Sequence, residues 1–437
     1  MNLLVVMFDS LRPDFLGCLG SAVVQTPNFD AFAAESCVFT NAIAEFPITV
    51  PSRTALLTGN YTFTNRPWCP LGEDDVTLAE VLRKHGYLTA AFSDTPFRQS
   101  EGMDRGFDEF KWLPGGKCHN AIVPFYQPDL AGIHIPPGSV KSDVRFYLNT
   151  LVNRAEYMKR EGMYFPDLLT REALKWLDAH GEDKFLLWLD YFDPHEPWDP
   201  PEPYAGMYDP GYTGRVIPMP RGPESDYLSP DELNHIRAQY AGCVTQVDDQ
   251  FGKLRSHLEQ IGLWEKTIIV LLSDHGEPLG EHGEIRKFNI PVYDELSRMV
   301  FMIRVPGLSP IWTDALVQNT ELPPTMYSLL GIEADERMDG VDLTPLMRCE
   351  TSQVRERAYS GAFQVRASIR TPEWKFIDNR GGKPNELFHL TDDPGEKVNL
   401  IGRESELARK LHEELWEWGL KWSKILDWKG ELWDGKA

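Results

Sequence analysis

Residues able to hold a cation stand at the ends of apolar runs. Asp9 closes the run Leu3 to Phe8, and Asp274-His275 closes the run Thr267 to Leu272 through Ser273. Carboxylates and an imidazole delivered from separate runs are hard and borderline ligands that can converge on one divalent ion although far apart in sequence. The plainer reading is that such aspartates cap the helices that follow. That reading loses ground at Ser273-Asp274-His275-Gly276, followed by Gly280-Glu281-His282-Gly283, because a buried Asp-His pair is costly without a partner such as a metal.

A second group lies in Phe46-Pro47-Ile48-Thr49-Val50-Pro51-Ser52-Arg53-Thr54-Ala55-Leu56-Leu57-Thr58-Gly59. Pro51 and Ser52 are helix-start residues, and Gly59 stops the short helix they open. Thr49 then stands at the positive end of that helix, where amide N–H groups and the dipole favour an anion. Arg53 lies one turn inside. A metal-activated hydroxyl beside a guanidinium that grips anionic oxygens suits nucleophilic attack on phosphorus or sulfur.

These residues need a rigid frame. Continuous apolar runs predict buried parallel strands at Leu3 to Phe8, Phe185 to Leu189 ending in Asp190, Thr267 to Leu272, and Met299 to Val305. Thr77-Leu78-Ala79-Glu80 is a capping box opening a helix toward His85-Gly86, with the strand-like Tyr87 to Phe92 behind it. Ser229-Pro230-Asp231-Glu232 opens a long helix whose apolar face is Ile236, Tyr240, Val244, Val247, Phe251 and Leu254. Strands alternating with helices predict an α/β fold, a large mostly parallel sheet flanked by helices, with ligands at the carboxyl ends of its strands. The Pro-, Gly- and Tyr-rich stretch from Pro194 to Pro223 reads as an ordered loop over that edge, a lid or substrate wall. After Arg348 the pattern shifts to short alternating segments, Gln364 to Arg370 and Trp374 to Ile377, then a helix from Ser405 carrying Trp416, Trp418 and Trp422. This predicts a catalytic α/β domain over 1–347 and an antiparallel α+β subdomain over 348–437.

Size and charge exclude several function classes. The 437 residues, 42% hydrophobic and 25% charged, suffice for one large core plus a subdomain. No apolar run reaches the roughly 20 residues of a membrane-spanning helix, and the first residues lack the basic flank and cleavage site of a signal peptide, so a cytoplasmic protein is expected. The six cysteines are scattered singly, which predicts reduced, mostly buried thiols. A formal charge of −22 repels nucleic acid and anionic lipid, so neither nucleic acid nor membrane is an expected partner, whereas a small anionic ester is, if cations neutralise it locally. A homo-oligomer is compatible with the composition. His85, His180, His235 and His257 lie on helical patterns without partner spacing and read as surface residues, and Asp94, Arg98 and Trp68 as loop residues with structural roles foremost.

The run around Thr49 resembles the sulfatase signature Cys-or-Ser, x, Pro, Ser, Arg, within the alkaline phosphatase superfamily. Phe8-Asp9-Ser10-Leu11-Arg12-Pro13-Asp14 is similar to that family's first metal motif, and Ser273 through Gly283 with Lys287 is similar to its second metal motif and anion-binding lysine. Pro194-His195-Glu196-Pro197-Trp198 resembles the Pro-His-x-Pro segment whose His serves the leaving group or an anionic oxygen. Arg105 to Phe110, Arg370 to Phe376 and Glu386 to Glu396 extend the resemblance in order over nearly the whole chain. It implies a sulfatase-like fold, one divalent cation (Mn, Zn or Ca) held by Asp9, Asp274 and His275 with the Thr49 oxygen, and Arg53, Lys287 and His195 around the ester.

The departures redirect the chemistry. Where typical relatives carry a Cys or Ser converted to formylglycine, this chain has Thr49, whose hydroxyl must attack directly. Ser10 stands where a second Asp is usual, removing one anionic ligand. Ser93-Asp94-Thr95-Pro96 stands in place of the usual Gly-Lys-Trp-His segment, so a lysine and a histidine are missing together. The expected function is therefore a metal-dependent hydrolase of a phosphate diester or phosphonate ester acting through Thr49. Sulfuric ester hydrolysis is the alternative, and a non-catalytic anion-binding relative a second one. The Asp-x-x-x-His spacing of a two-zinc site is absent from Asp190 to His195.

Overall fold

Every position of β1 (Asn2–Phe8) is buried, and a strand apolar on both faces must be covered on both. The computed structural model describes residues 1–95, 101–113, 155, 158–333, 337–362 and 365–422. In it β1 lies inside an eight-stranded sheet with β2 (Cys37–Phe39), β4 (Leu88–Ser93), β5 (Glu109–Trp112), β6 (Phe185–Tyr191), β7 (Thr267–Ser273), β8 (Phe301–Arg304) and β9 (Ile311–Thr313). The order is β5-β4-β6-β1-β7-β8-β2-β9. A separate two-stranded ladder pairs β3 (Ala42–Ile43) with β10 (Val317–Gln318). Leu4, Val6 and Phe8 of β1 enter one core with the helices Phe165–His180 and Pro230–Gln260. Leu3, Val5 and Met7 enter the other, covered by the helices Thr49–Thr58, Leu78–Lys84 and Leu322–Leu330.

The strands β5, β4, β6, β1 and β7 run parallel, as expected. The run at Met299 to Val305 does not: its strand β8 is antiparallel to β7. The chain leaving β7 crosses the carboxyl edge with no helix longer than the four-residue Asp294–Ser297, and without a full crossover it returns head to tail. Both anticipated capping boxes form, at Thr77 with Glu80 and at Ser229 with Glu232, and the predicted face of the long helix is buried throughout.

At the other end of the chain β11 (Ala358–Ala362), β12 (Arg366–Arg370), β13 (Trp374–Asp378) and β14 (Glu386–His389) form a four-stranded antiparallel sheet. Ala408, Leu411 and Leu415 of the helix Ser405–Trp422 pack on it together with Phe46, Tyr61 and Phe63, which flank the Thr49 helix. The loop after β7 is tied to this sheet as well. His282 bonds Glu295 Oε1 at 2.7 Å and the Glu396 carbonyl at 2.9 Å and stacks on Tyr293, while Asp294 accepts from Lys375 Nζ at 2.9 Å. No helix of the described residues is long and apolar enough to cross a membrane. No disulfide joins the described cysteines to one another, but only Cys37 and Cys243 are buried and Cys349 is exposed, so the thiols are less buried than expected.

Candidate active site

Asp9 follows β1 and Asp274 follows β7, and these strands are hydrogen-bonded neighbours in register, Phe8 beside Ser273. Sheet geometry therefore brings together two carboxylates that are far apart in sequence. Both are fully buried, as is His275. Among the described residues these three form the one group whose ligand atoms lie within 4.8 Å of one another. The His275 ring has a defined tautomer: Nδ1–H donates to the Gly276 carbonyl at 2.7 Å, which leaves Nε2 with its lone pair. Nε2 is buried without a hydrogen-bond partner, 3.2 Å from Asp274 Oδ2 and 3.9 Å from Asp9 Oδ1. Burial holds the ring below the usual histidine range, so it is neutral. A bare imidazole nitrogen facing two carboxylates fits a divalent cation between them.

Thr49 is the first residue of its helix, buried, and no side chain caps the helix. First-turn amides and the dipole are thus left for an anion. The helix is seated by Ser52, whose Oγ donates to the Asp274 carbonyl at 2.7 Å. Arg53 is fully buried and spends all its donors inside the protein. Nε and Nη2 make a bidentate pair with Asp190 at 2.8 Å each, Nη2 also reaches Asp9 Oδ2 at 3.1 Å, and Nη1 reaches Asp274 Oδ2 and, at 3.2 Å, the Thr49 carbonyl. A guanidinium has five N–H groups, so none is left for substrate, contrary to the sequence expectation. Arg53 instead links the helix carrying Thr49 to the cation-site carboxylates.

Lys287 donates to Ser10 Oγ at 3.0 Å and to Glu277 Oε2 at 2.6 Å. Ser10, in the left-handed region at φ 65°, passes the contact on by donating to Asp9 Oδ1 at 2.7 Å. His195 is buried with Nδ1 2.6 Å from the Glu196 carbonyl, and Glu196 pairs with Arg286 at 2.6 Å and faces Lys287 at 3.7 Å. Burial pulls the His195 ring down to about 4, so near neutral pH it is uncharged and presents Nε2 as an acceptor. Arg53, His195, His275 and Lys287 all lie within electrostatic reach of Asp9.

Asp190, at the end of the apolar run Phe185 to Leu189, is the residue that sequence reasoning passed over, although it makes the strongest contact to Arg53. Burial pushes its carboxyl up to about 6 against the pull of Arg53. Thr95 Oγ1 donates to it at 3.2 Å. Asp94 has a structural role, accepting the Phe192 N–H at 2.7 Å; Trp68 is 42% exposed; Arg98 and Pro96 lie outside the described residues. His235 is not a surface residue: it is buried, bonded to Asp209 at 3.1 Å and stacked on Tyr212 at 3.8 Å, because the 194–223 loop folds over its helix.

Residues 1–332 match the family described as Sulfatase, and residues 280–421 match the C-terminal region of N-sulphoglucosamine sulphohydrolase. The chain is 27% identical to an ulvan-active sulfatase of Formosa agariphila over 450 residues, covering 96% of this chain and 81% of that protein. Its fold is similar to a structure solved with its substrate D-glucosamine-2-N,6-O-disulfate, with a TM-score of 0.74, 22% identity and coverage of 100% and 99%. It is also similar to the phosphonate monoester hydrolase of Agrobacterium radiobacter, with a TM-score of 0.72, 23% identity and coverage of 96% and 95%.

Proposed function

Since the chain belongs to the sulfatase family and is a hydrolase, we propose that it cleaves a singly charged oxyacid ester, a phosphate diester or phosphonate monoester, with Thr49 Oγ1 as nucleophile. The observation that carries this reading is the placement of a threonine hydroxyl at the head of a buried helix whose Arg53 is locked onto Asp9 and Asp274. With every Arg53 donor taken and Lys287 already facing Glu277, few basic groups remain for a second negative charge on the substrate. That disfavours dianionic phosphate monoesters.

Asp9, Asp274 and His275 Nε2 would hold a divalent cation, which when bound supplies charge neutralisation at the oxyacid and lowers the pKa of a neighbouring hydroxyl. Thr49 Oγ1 forms a bond to phosphorus as the bond to the leaving alcohol breaks. The neutral His195 ring accepts the threonine proton at Nε2, and the departing oxygen, on the opposite side of phosphorus, takes its proton from water. Water then hydrolyses the phospho-threonine and restores the enzyme. Sulfuric ester hydrolysis is a second reading, favoured by the likeness to the ulvan-active sulfatase.

The test is turnover of aryl sulfates, phosphate monoesters, phosphate diesters and phosphonate monoesters by the purified protein with added Mn²⁺, Zn²⁺ or Ca²⁺. Diester or phosphonate cleavage that falls by ~10³-fold or more in Thr49→Ala, and survives in part in Thr49→Ser, is the expected result. Undiminished activity in Thr49→Ala removes Thr49 from the mechanism. Faster cleavage of aryl sulfate supports the second reading, and binding without turnover of any ester indicates an anion-binding relative.

A further inference from the structure

We infer that Asp190 is a positioning residue for the cation site, holding Arg53 in place and offsetting its charge so that a divalent ion can be bound beside it. This rests on the reading that Asp9, Asp274 and His275 hold a cation. A buried guanidinium in contact with Asp9 and Asp274 competes electrostatically with any cation those carboxylates would bind. Asp190 counters that competition in two ways. Its bidentate pair with Nε and Nη2 fixes the guanidinium plane, and its negative charge cancels the arginine charge on the side away from Asp274.

The surroundings are built around this pair. Thr95 Oγ1 donates to Asp190 Oδ2 at 3.2 Å and lies 3.0 Å from Ser93 Oγ, and the Asp94 N–H meets the Asp190 carbonyl at 3.3 Å. A hydroxyl donating to the carboxylate there complements an acidic residue, whereas a basic side chain in its place would compete with Arg53 for it. The backbone fixes the partner strands: Ser93 is in register with Asp190 between β4 and β6. Asp190 hydrogen-bonds Arg53 and not the ligand carboxylates, which it meets through charge alone.

The experiment measures Mn²⁺ affinity of the purified full chain by equilibrium dialysis, with circular dichroism to establish that each variant is folded. Asp190→Asn leaves a buried positive charge uncompensated and is expected to weaken Mn²⁺ binding by roughly 10- to 100-fold, the usual cost of losing a group behind the metal ligands. The double variant Arg53→Met with Asp190→Asn removes both charges and is expected to return to within about threefold of wild type, since neither an uncompensated cation nor its counter-charge is then left beside the site. A merely structural role would lower stability without this loss and recovery. Folded Asp190→Asn with wild-type affinity overturns the inference, and so does a double variant more than about tenfold weaker than wild type. Where Asp190→Asn does not fold, Asp190→Glu keeps the charge but displaces the pair with Arg53 and is expected to weaken Mn²⁺ binding, wild-type affinity in it overturning the inference. Mn²⁺ binding absent from wild type, or unchanged in Asp274→Asn, would instead remove the cation site itself.

Discussion

At the scale of single residues, Arg53 sets the character of the site. It is an arginine one turn into a helix, and its whole fork is used by Asp190, Asp9, Asp274 and the Thr49 carbonyl. Removing it should leave buried carboxylates facing one another. Arg53→Met is expected to lose ~3–5 kcal/mol of stability by denaturant unfolding, as when a buried pair is broken. Excess Mn²⁺ should restore part of the loss, because a ligand that binds only the native state stabilises it. An unfolding midpoint equal to wild type would show that the carboxylates are not held apart by Arg53. The grouping of Asp9 with Asp274-His275 was legible in sequence because these residues are chemically unusual at the ends of apolar runs. Asp190 ends a similar run but has no chemical neighbour in sequence: its partners Arg53 and Thr95 come from other elements, and only the folded sheet shows them.

At the scale of elements, the segment from His275 to Val300 carries both the site and its attachment to the antiparallel sheet. Its attachment point, His282, has both ring nitrogens bonded. Burial opposes its charge, but Glu295 and Glu396 outweigh this and raise it to about 9. A raised histidine contributes stability fully below its ordinary value of about 6.5, and the contribution is lost as pH climbs through about 9. Thermal unfolding of wild type should therefore drop more steeply from pH 6.5 to 9 than that of His282→Gln. Parallel profiles for the two proteins would show that the contact does not hold the proton. Sequence patterns revealed both capped helices because a capping box is local. They missed the antiparallel β8 because strand direction depends on what the chain does between strands, and continuous apolar runs look alike in either orientation.

At the scale of the whole molecule, a formal charge of −22 surrounds a site built to take an anion. The cations inside it, Arg53 and Lys287, are buried among carboxylates and project little field to long range. Diffusing substrate is repelled until it is close. Raising ionic strength from about 10 to about 200 mM should screen the repulsion and increase kcat/KM by roughly 2- to 10-fold. A fall with added salt would mean that a local positive field dominates the approach. The α/β architecture was legible because alternation of strand and helix is a property of the entire chain. The contribution of Phe46, Tyr61 and Phe63 to the C-terminal core was not, since these aromatics surround the Thr49 helix in sequence and give no sign of a distant partner.

The position of β1 has a consequence for how the protein is made. Its ladder partners are residues 186–191 on one side and 267–273 on the other, so β1 has no edge to join until about 180 further residues have been synthesised, and no second edge until about 260 have. An apolar, aggregation-prone segment must wait through that interval. Folding should accordingly be slow and dependent on chaperones, with the Asp9 side of the active centre completed only after Asp274 has been synthesised.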